Sequence, residues 1–275
     1  MIKDLVVNLP VDRQPTAADY AISIAQTFSA HITGIAFAYE PAVAPAAIGD
    51  LPGDWVEAQR AESAKAAKAA IAQFEASAQR SGLSADHRTL PATVGGAADL
   101  FGRIARRFDL SVVGQTDPEG PAPEEVIIES ALFESGRPVV VVPYIQKQGL
   151  KLDRVLVCWD GSRTATRAIA DSLPFLTRAQ AIDIVIVADG RARSDEIPGA
   201  DIGQHLARHG LKIDIRRIVA PDVDVANTIL SYAADCSADF LVMGGYGHSR
   251  LREFVLGGAT RGILTSMTVP ALMSH

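Results

Sequence analysis

The chain repeats one pattern, in which short apolar, β-branched runs alternate with stretches of helical period. In the first half, the predicted strands cover residues 4–10, 31–39, 87–92, 109–116 and 138–144. In the second half, they cover residues 153–159, 181–189, 212–220, 239–247 and 269–275. Apolar strands separated by helices are typical of a parallel sheet that is covered on both faces. The repeat therefore predicts an α/β fold built twice.

Helical patterns fill the gaps between these strands, near residues 16–29, 54–81, 95–107, 123–135, 163–177, 199–209, 223–237 and 258–267. We therefore expect two tandem doubly wound domains of the Rossmann-like class, each with a five-stranded parallel sheet. The predicted domains are residues 1–145 and 152–275, and the segment PYIQKQGLK (143–151) is the predicted linker. Such sheets bind ligands at the carboxyl ends of their strands, which directs attention to the loops there.

The two halves differ in length between matching strands. Val7 matches Val157 at an offset of 150 residues, whereas Gly114 matches Gly244 at an offset of 130. The first half thus carries about twenty extra residues, which we assign to the Pro- and Gly-rich segment 40–55 and the Ala-rich helix after it. That helix has high intrinsic propensity, and we expect it to lie on the sheet instead of projecting as a coiled-coil arm.

Composition excludes several classes of protein. The 275 residues are 48% hydrophobic and 21% charged, with a net charge of −6 and two cysteines, Cys158 and Cys236. Mixed charge without basic clusters argues against nucleic acid or an anionic membrane as a partner. No apolar run is long enough to span a bilayer, and the N-terminus does not resemble a secretory signal. The expected location is the cytoplasm, with both cysteines reduced.

A glycine-rich loop follows the fourth predicted strand of the second half. Gly244, Gly245 and Gly247 surround Tyr246, and after nine further residues Gly257 and Gly258 open the last helix. Glycine lets backbone N–H groups approach an anion closely, and a helix N-terminus adds unpaired N–H groups and a positive dipole end. Strand, spacing and helix together predict a phosphate site at this loop.

The sequence GGYGHSRLREFVLGGATRGIL, followed by VPALMSH, resembles sequences of the universal stress protein family in its tandem two-domain form. The resemblance implies an adenine nucleotide α-hydrolase-like fold and binding of ATP, with Mg²⁺ as a possible companion. Gly244, Gly247 and Gly257 match the motif glycines, whereas Gly258 stands where the family has Ser or Thr. The loss of that hydroxyl would weaken phosphate binding unless Thr260 or Arg261 compensates.

The resemblance also implies roles at two other strand ends. Asp160 would face the ribose and adenine side of the nucleotide, and the backbone of Val187 and Ala188 would meet the adenine edge. Asp160 equally fits the N-cap region of the helix that begins near Ser162. The complete predicted binding set is Asp160, Val187, Ala188, Gly244, Gly245, Tyr246, Gly247, His248, Ser249, Arg250, Gly257, Gly258, Ala259 and Thr260.

The first half does not repeat this loop. Gly114 persists, but Asp117 takes the place of Gly247, and Glu125 and Val126 stand where Gly257 and Gly258 do. Together with Glu124, these carboxylates complement a helix dipole and would repel a triphosphate. We therefore expect the first domain to be a structural partner with a degenerate nucleotide site.

The last strands of both halves, VVVV (139–142) and VPALM (269–273), are apolar sheet edges that invite pairing. In the family that the chain resembles, such strands pair antiparallel between domains. The tandem chain would satisfy this pairing internally, and a homodimer stays open.

Other chemistries fit less well. Gly247, His248 and Ser249 begin like the nucleophile elbow of a serine hydrolase, but Leu251 replaces its last glycine. His205 and His209 lie one helical turn apart without the Glu of a zinc-protease helix. No general base is apparent, so any ATP hydrolysis would be slow and incidental. Three functions remain: ATP-dependent regulation during stress, an interaction scaffold without nucleotide, or binding of another small anionic ligand.

Overall fold

The structure, a computed structural model, describes residues 1–11, 14–41, 53–116, 123–188, 200–219, 224–246 and 258–275. The chain divides into two compact units, Met1–Arg137 and Pro138–His275. Each unit is a sheet of mainly parallel strands with helices packed against it, as the sequence predicts.

The first unit contains β1 (Asp4–Leu9), α1 (Thr16–Phe28), β2 (His31–Tyr39), α2 (Gly53–Arg80), β3 (Ala85–Ala92), α3 (Val94–Ala105), β4 (Leu110–Gly114) and α4 (Pro123–Glu134). Its strands lie in the order β3-β2-β1-β4, and the β1–β2, β1–β4 and β2–β3 pairs are parallel. Strand β1 is buried from Leu5 to Leu9, because it has neighbours on both edges and helices on the sheet faces, and Asn8 is the one polar residue in that run.

The second unit contains β5 (Val139–Val142), β6 (Arg154–Cys158), α5 (Arg163–Leu176), β7 (Ala181–Ala188), α6 (Ala200–Arg208), β8 (Asp214–Val219), α7 (Val225–Asp235), β9 (Phe240–Gly244), α8 (Ala259–Ser266) and β10 (Ala271–Ser274). Its strand order is β5-β10-β9-β6-β7-β8. All pairs are parallel except β5 with β10, where Val140 faces Leu272 in an antiparallel register. The antiparallel pairing of the two last strands, expected from the resemblance, is present within this unit.

Strand β5 pairs with β10 and belongs to the second unit. The boundary between the two units along the chain therefore follows residue 137, upstream of the predicted domain end at residue 145. The predicted linker, residues 143–151, contains neither helix nor strand, but it lies inside the second unit and not between the two units.

Helix α2 lies on the sheet along its second half. Ala67, Ile71, Phe74 and Ala78 recur at intervals of four, three and four residues, and all four are buried. This spacing forms one helix face. Phe74 packs over Gly34 of β2, where a Cβ atom would lie 2.7 Å from the Phe74 ring. The expectation that this helix packs on the sheet is confirmed.

An aspartate just before the fourth strand of each repeat binds the start of the first strand. The Asp109 carboxylate accepts hydrogen bonds from the N–H groups of Lys3 (2.8 Å) and Asp4 (3.2 Å). The Asp239 carboxylate accepts them from Asp153 (2.9 Å) and Arg154 (3.3 Å). The two aspartates are 130 residues apart and the strand starts that they bind are 150 residues apart, as in the sequence repeat. The repeat found in the sequence is therefore also present in the structure.

Candidate functional site at the carboxyl edge of the second unit

The strand order of the second sheet changes direction between β6 and β9. From β6 the chain adds β7 and β8 on one side, and later β9 and β10 on the other. The pair Val157 and Val242 sets the two strands side by side, so their carboxyl ends lie at one edge of the sheet. Ligands of doubly wound sheets bind at such switch points. The predicted residues that are described all lie on elements reaching this edge.

Gly244, the last residue of β9, is required for close packing. A Cβ atom there would lie 2.5 Å from the Ala165 backbone nitrogen and 2.5 Å from Thr164 Oγ1. Glycine therefore lets the first turn of α5 approach the end of β9. Ser162 begins that helix, and its hydroxyl accepts a hydrogen bond from the Ala165 N–H at 3.1 Å. The bare Cα of Gly244 thus faces a helix start.

The backbone N–H groups of the two residues after Gly244 already have partners. The Gly245 N–H donates to the Ser274 carbonyl at 2.9 Å, and the Tyr246 N–H donates to Thr260 Oγ1 at 3.0 Å. Tyr246 adopts a left-handed conformation with φ of 47°, and Thr260 is 3% exposed. The Thr260 hydroxyl therefore ties the loop to the first turn of α8, and these two amides are not open phosphate donors.

Helix α8 begins without a side-chain cap. Gly258 is its N-cap with φ of −54° and ψ of 149°, and because glycine has no side chain, the N-cap residue itself makes no capping hydrogen bond. The first N–H groups of a helix have no partner within the helix. Farther along, Gly262 packs against α7, where a Cβ atom would lie 2.6 Å from Ala226 Cβ. The uncapped end fits an anionic group better than a neutral or cationic one.

Asp160 lies in the loop between β6 and α5, where both of its proposed roles remain compatible with the structure. Its carboxylate is exposed, and Oδ1 accepts a hydrogen bond from the Ser162 N–H at 2.9 Å. Asp160 therefore supports the start of α5, although Ser162 is the N-cap itself. Gly161 between them has φ of 76°, a value that favours glycine.

The end of β7 extends past its pairing with β6. The register between these strands ends with Cys158 opposite Val185, and one further bond joins the Trp159 N–H to the Val185 carbonyl at 2.9 Å. Val187 and Ala188 pair with β8 on the other side and are partly exposed. Their position suits the predicted backbone contacts with a planar heterocycle.

The structure brings Asp160, Val187, Ala188, Gly244, Gly245, Tyr246, Gly258, Ala259 and Thr260 to this edge of the second unit. Gly247, His248, Ser249, Arg250 and Gly257 lie outside the described residues. One residue at the edge was not predicted: His275 Nδ1 lies 3.1 Å from the Gly245 carbonyl. The sequence could have indicated this residue, because His275 directly follows β10 and β10 runs parallel to β9, so the two strands end at the same edge of the sheet.

No group of three or more His, Cys, Asp or Glu side chains in the described parts of the chain could hold a metal ion. Within the same residues, no helix is long and apolar enough to cross a membrane.

Cys158, next to the site, is held in its neutral form. Burial raises the pKa of its thiol to about 12, and the negative charge of Asp160 acts in the same direction. We expect alkylation of Cys158 by iodoacetamide at pH 8 to be about 100-fold slower, or more, in the native protein than in urea, because only the thiolate reacts. Mass spectrometry of peptides after timed quenching measures this rate.

A raised thiol pKa also fixes the sign of the pH dependence. The native rate should increase about tenfold per pH unit above pH 8, for as long as the protein stays folded and the thiolate fraction grows with pH. Equal rates in native and unfolded protein, or a native rate that does not change with pH, would contradict this assignment.

The fold and the site define a class of protein: a chain of two doubly wound α/β units, of which the second presents a helix start without a capping side chain at its switch point. Residues 151–275 match the family model described as "Universal stress protein family". The C-terminal part of the chain is therefore similar to a universal stress protein domain.

Sequence and structure comparisons agree with this family. Universal stress protein Slr1230 from Synechocystis sp. is 29% identical over 139 residues, which cover 50% of this chain and 46% of that protein. A crystal structure of a universal stress protein from Archaeoglobus fulgidus DSM 4304 aligns with 98% of this chain and 97% of its own, at 15% identity and a TM-score of 0.71. A functionally unknown protein from Pseudomonas aeruginosa PAO1 aligns with 99% of this chain and 92% of its own, at 13% identity and a TM-score of 0.61. The structural likeness shows the fold.

Proposed function

We propose that the second unit binds an adenine nucleotide, ATP in the first instance, at the carboxyl edge of β6, β7 and β9. The observation that carries this proposal is the N-terminus of α8, which begins at Gly258 without a capping side chain beside the switch point. The positive end of the helix would take the phosphates. The open backbone at Val187 and Ala188 would take the base, and Asp160 the ribose side.

Nucleotide binding would serve regulation during stress instead of turnover. A hydrolase needs a group that activates water near the phosphates. The Asp160 carboxylate is already engaged by the Ser162 N–H, and burial raises the pKa of the Cys158 thiol to about 12, so this thiol is protonated near neutral pH. The bound nucleotide would act by favouring one conformation for partner binding, with any hydrolysis slow. A cytoplasmic location agrees with two free cysteines, and a dimer of chains stays a prediction.

An interaction scaffold without nucleotide is the second candidate. Its support is that the Gly245 and Tyr246 amides are already bonded within the protein, to Ser274 and to Thr260. Fewer open amides and the missing hydroxyl at Gly258 would both weaken phosphate binding. Another small anionic ligand would use the same helix end, so the test must separate all three functions.

Two substitutions at Gly258 separate helix capping from phosphate binding. Serine and aspartate are both better N-caps than glycine, by a few tenths of a kcal/mol, and the backbone φ of −54° accepts either. We expect Gly258→Ser to tighten ATP binding about tenfold, because a hydroxyl-to-phosphate hydrogen bond contributes about 1.5 to 3 kcal/mol. Gly258→Asp should weaken it about tenfold or more, because its charge repels phosphate. Isothermal titration calorimetry with ATP and Mg²⁺ measures both constants.

The thermal midpoints of the two variants serve as the control, since both should be equal to or above that of the parent chain. Opposite changes in affinity at similar stability would support the site. Absence of ATP binding in the parent and in Gly258→Ser would favour the scaffold. Titration with AMP and with inorganic pyrophosphate under the same conditions distinguishes an adenine nucleotide from another anion, because only the former should use the edge of β7.

A further inference from the structure

The first unit has a cavity of about 450 Å³ at the carboxyl edge of its own sheet. We call it the N-terminal cavity, and its polar walls include Asn8, Tyr39, Glu40, Glu62, Ser63 and Glu124. These residues come from the ends of β1 and β2, from the exposed side of α2 and from the first turn of α4. Since β1 neighbours both β2 and β4, the cavity occupies the switch point of this sheet.

The chemistry of this cavity is opposite to that of the candidate site in the second unit. Three of its described wall residues are glutamates, and none is Lys or Arg. Glu124 is 5% exposed and lies in the first turn of α4, which thus begins with a carboxylate. Counted back from the following strand, α4 begins about one helical turn earlier than α8. The helix start that is open in the second unit is therefore filled with negative charge here.

A second observation, independent of the acidic residues, indicates a ligand. Asn8 interrupts the apolar run of β1, is 3% exposed and lines the cavity. Its Oδ1 has no hydrogen-bond partner among the described residues. A buried amide oxygen without a partner costs about 1 to 3 kcal/mol relative to one that is bonded, so such positions are rare in folded proteins. A ligand with an N–H donor would supply the missing bond.

We propose that the N-terminal cavity binds a small organic ammonium ion, such as a polyamine. Its N–H groups would donate to the Asn8 amide oxygen and to the carboxylates of Glu124 and Glu62, and a buried carboxylate is screened little by salt. Its alkyl chain would contact the apolar walls, Pro10, Val11, Pro41 and Pro123. Tyr39 offers an aromatic ring to the cation. The volume fits ligands of this size.

The test uses spermidine and the full chain freed of nucleotide, because a polycation also associates with ATP in solution. Isothermal titration in 150 mM salt should show saturable binding of one spermidine per chain. Glu62→Gln should weaken binding about threefold or more, and Glu124→Gln about tenfold or more, since the less exposed charge interacts more strongly. Glu57→Gln is the matched control: Glu57 is also an exposed residue of α2 but does not line the cavity.

The substitution Asn8→Asp is expected to strengthen the binding of spermidine. It keeps the shape of the side chain and adds a negative charge, so spermidine should bind more tightly while the free protein becomes less stable. No saturable binding of spermidine up to 10 mM, or equal weakening by Glu57→Gln and Glu62→Gln, would overturn the proposal. Mg²⁺ that competes with spermidine and shows the same pattern across the variants would overturn the assignment to an organic cation. None of these outcomes depends on ATP binding by the second unit.

Discussion

Replacing Gly244 with alanine is expected to lower the free energy of unfolding by about 3 kcal/mol, a typical upper value for overpacking a well-packed site. The added Cβ would lie 2.5 Å from the Ala165 nitrogen and from Thr164 Oγ1, and 2.7 Å from the Thr164 carbonyl carbon. Two of these atoms belong to the backbone of α5, so no change of rotamer relieves the contact. The helix must move away from the end of β9, and the buried Thr164 moves with it. Urea unfolding followed by circular dichroism measures the loss.

Gly114→Ala is the matched control, because Gly114 ends β4 as Gly244 ends β9. A Cβ atom at Gly114 would lie 3.6 Å from Ala17 Cβ, an ordinary van der Waals distance. This substitution should change stability by less than about 1 kcal/mol, and in the stabilising direction, because alanine restricts the unfolded chain. Similar losses for both variants would show that the approach of α5 does not set the requirement for glycine in the second unit.

Replacing Arg154 with methionine is expected to cost about 2 to 4 kcal/mol, because it leaves a buried carboxylate without its charge partner. Asp183 of β7 is 1% exposed, and its Oδ2 accepts from Arg154 Nη1 at 2.9 Å. The Tyr232 hydroxyl donates to the same oxygen at 3.3 Å, and burial raises the pKa of this phenol, which keeps it a donor. About a third of the Arg154 side chain is exposed, which keeps the expected loss below the largest values known for buried pairs.

Arg216→Met is the control for this second substitution. Arg216 lies 3.4 Å from Asp214 on the edge strand β8, and both side chains are at least half exposed. Removal of this pair should cost less than about 1 kcal/mol. The double variant Arg154→Met with Asp183→Leu should recover much of the stability, because two apolar side chains replace a buried charge pair. Failure of the double variant to exceed Arg154→Met would contradict the stated cause.

Most of the fold could be predicted from the sequence because the signals are local. Strands such as β5 and β9 are continuous apolar runs, and the helices show their period directly. The buried face of α2 at Ala67, Ile71, Phe74 and Ala78 is one example. The offsets between Val7 and Val157 and between Gly114 and Gly244 located the insertion in the first half before any contact was known. The compact unit to which β5 belongs depends on pairing with a distant strand, in which Val140 faces Leu272, and no local pattern specifies this pairing.

The candidate site was predictable only in part, for the same reason. Uncapped glycine at position 258 can be read directly, and it is the N-cap of α8 as expected. The use of the Thr260 hydroxyl to hold Tyr246, and of Gly244 to admit α5, depends on contacts between distant segments. The ligand contacts of Thr260 and Gly244 stay predictions, and in the structure Thr260 holds the loop at Tyr246 while Gly244 allows α5 to approach β9. In the first unit, charge pattern alone predicted loss of a nucleotide site but not the cavity beside Asn8.

The hydrogen bonds that Asp109 and Asp239 accept from the starts of β1 and β6 bear on which residues of a duplicated protein can vary. Both carboxylates bind backbone N–H groups at the amino-terminal edge of their sheets, at the opposite end from Asn8 near the end of β1 and from Gly258 at the start of α8. These hydrogen bonds hold each sheet at its amino-terminal edge, so residues at the carboxyl edge can vary without disturbing them. The carboxyl edges of two copies of one fold can therefore differ in charge, with glutamates in the first unit and a helix start without a capping side chain in the second.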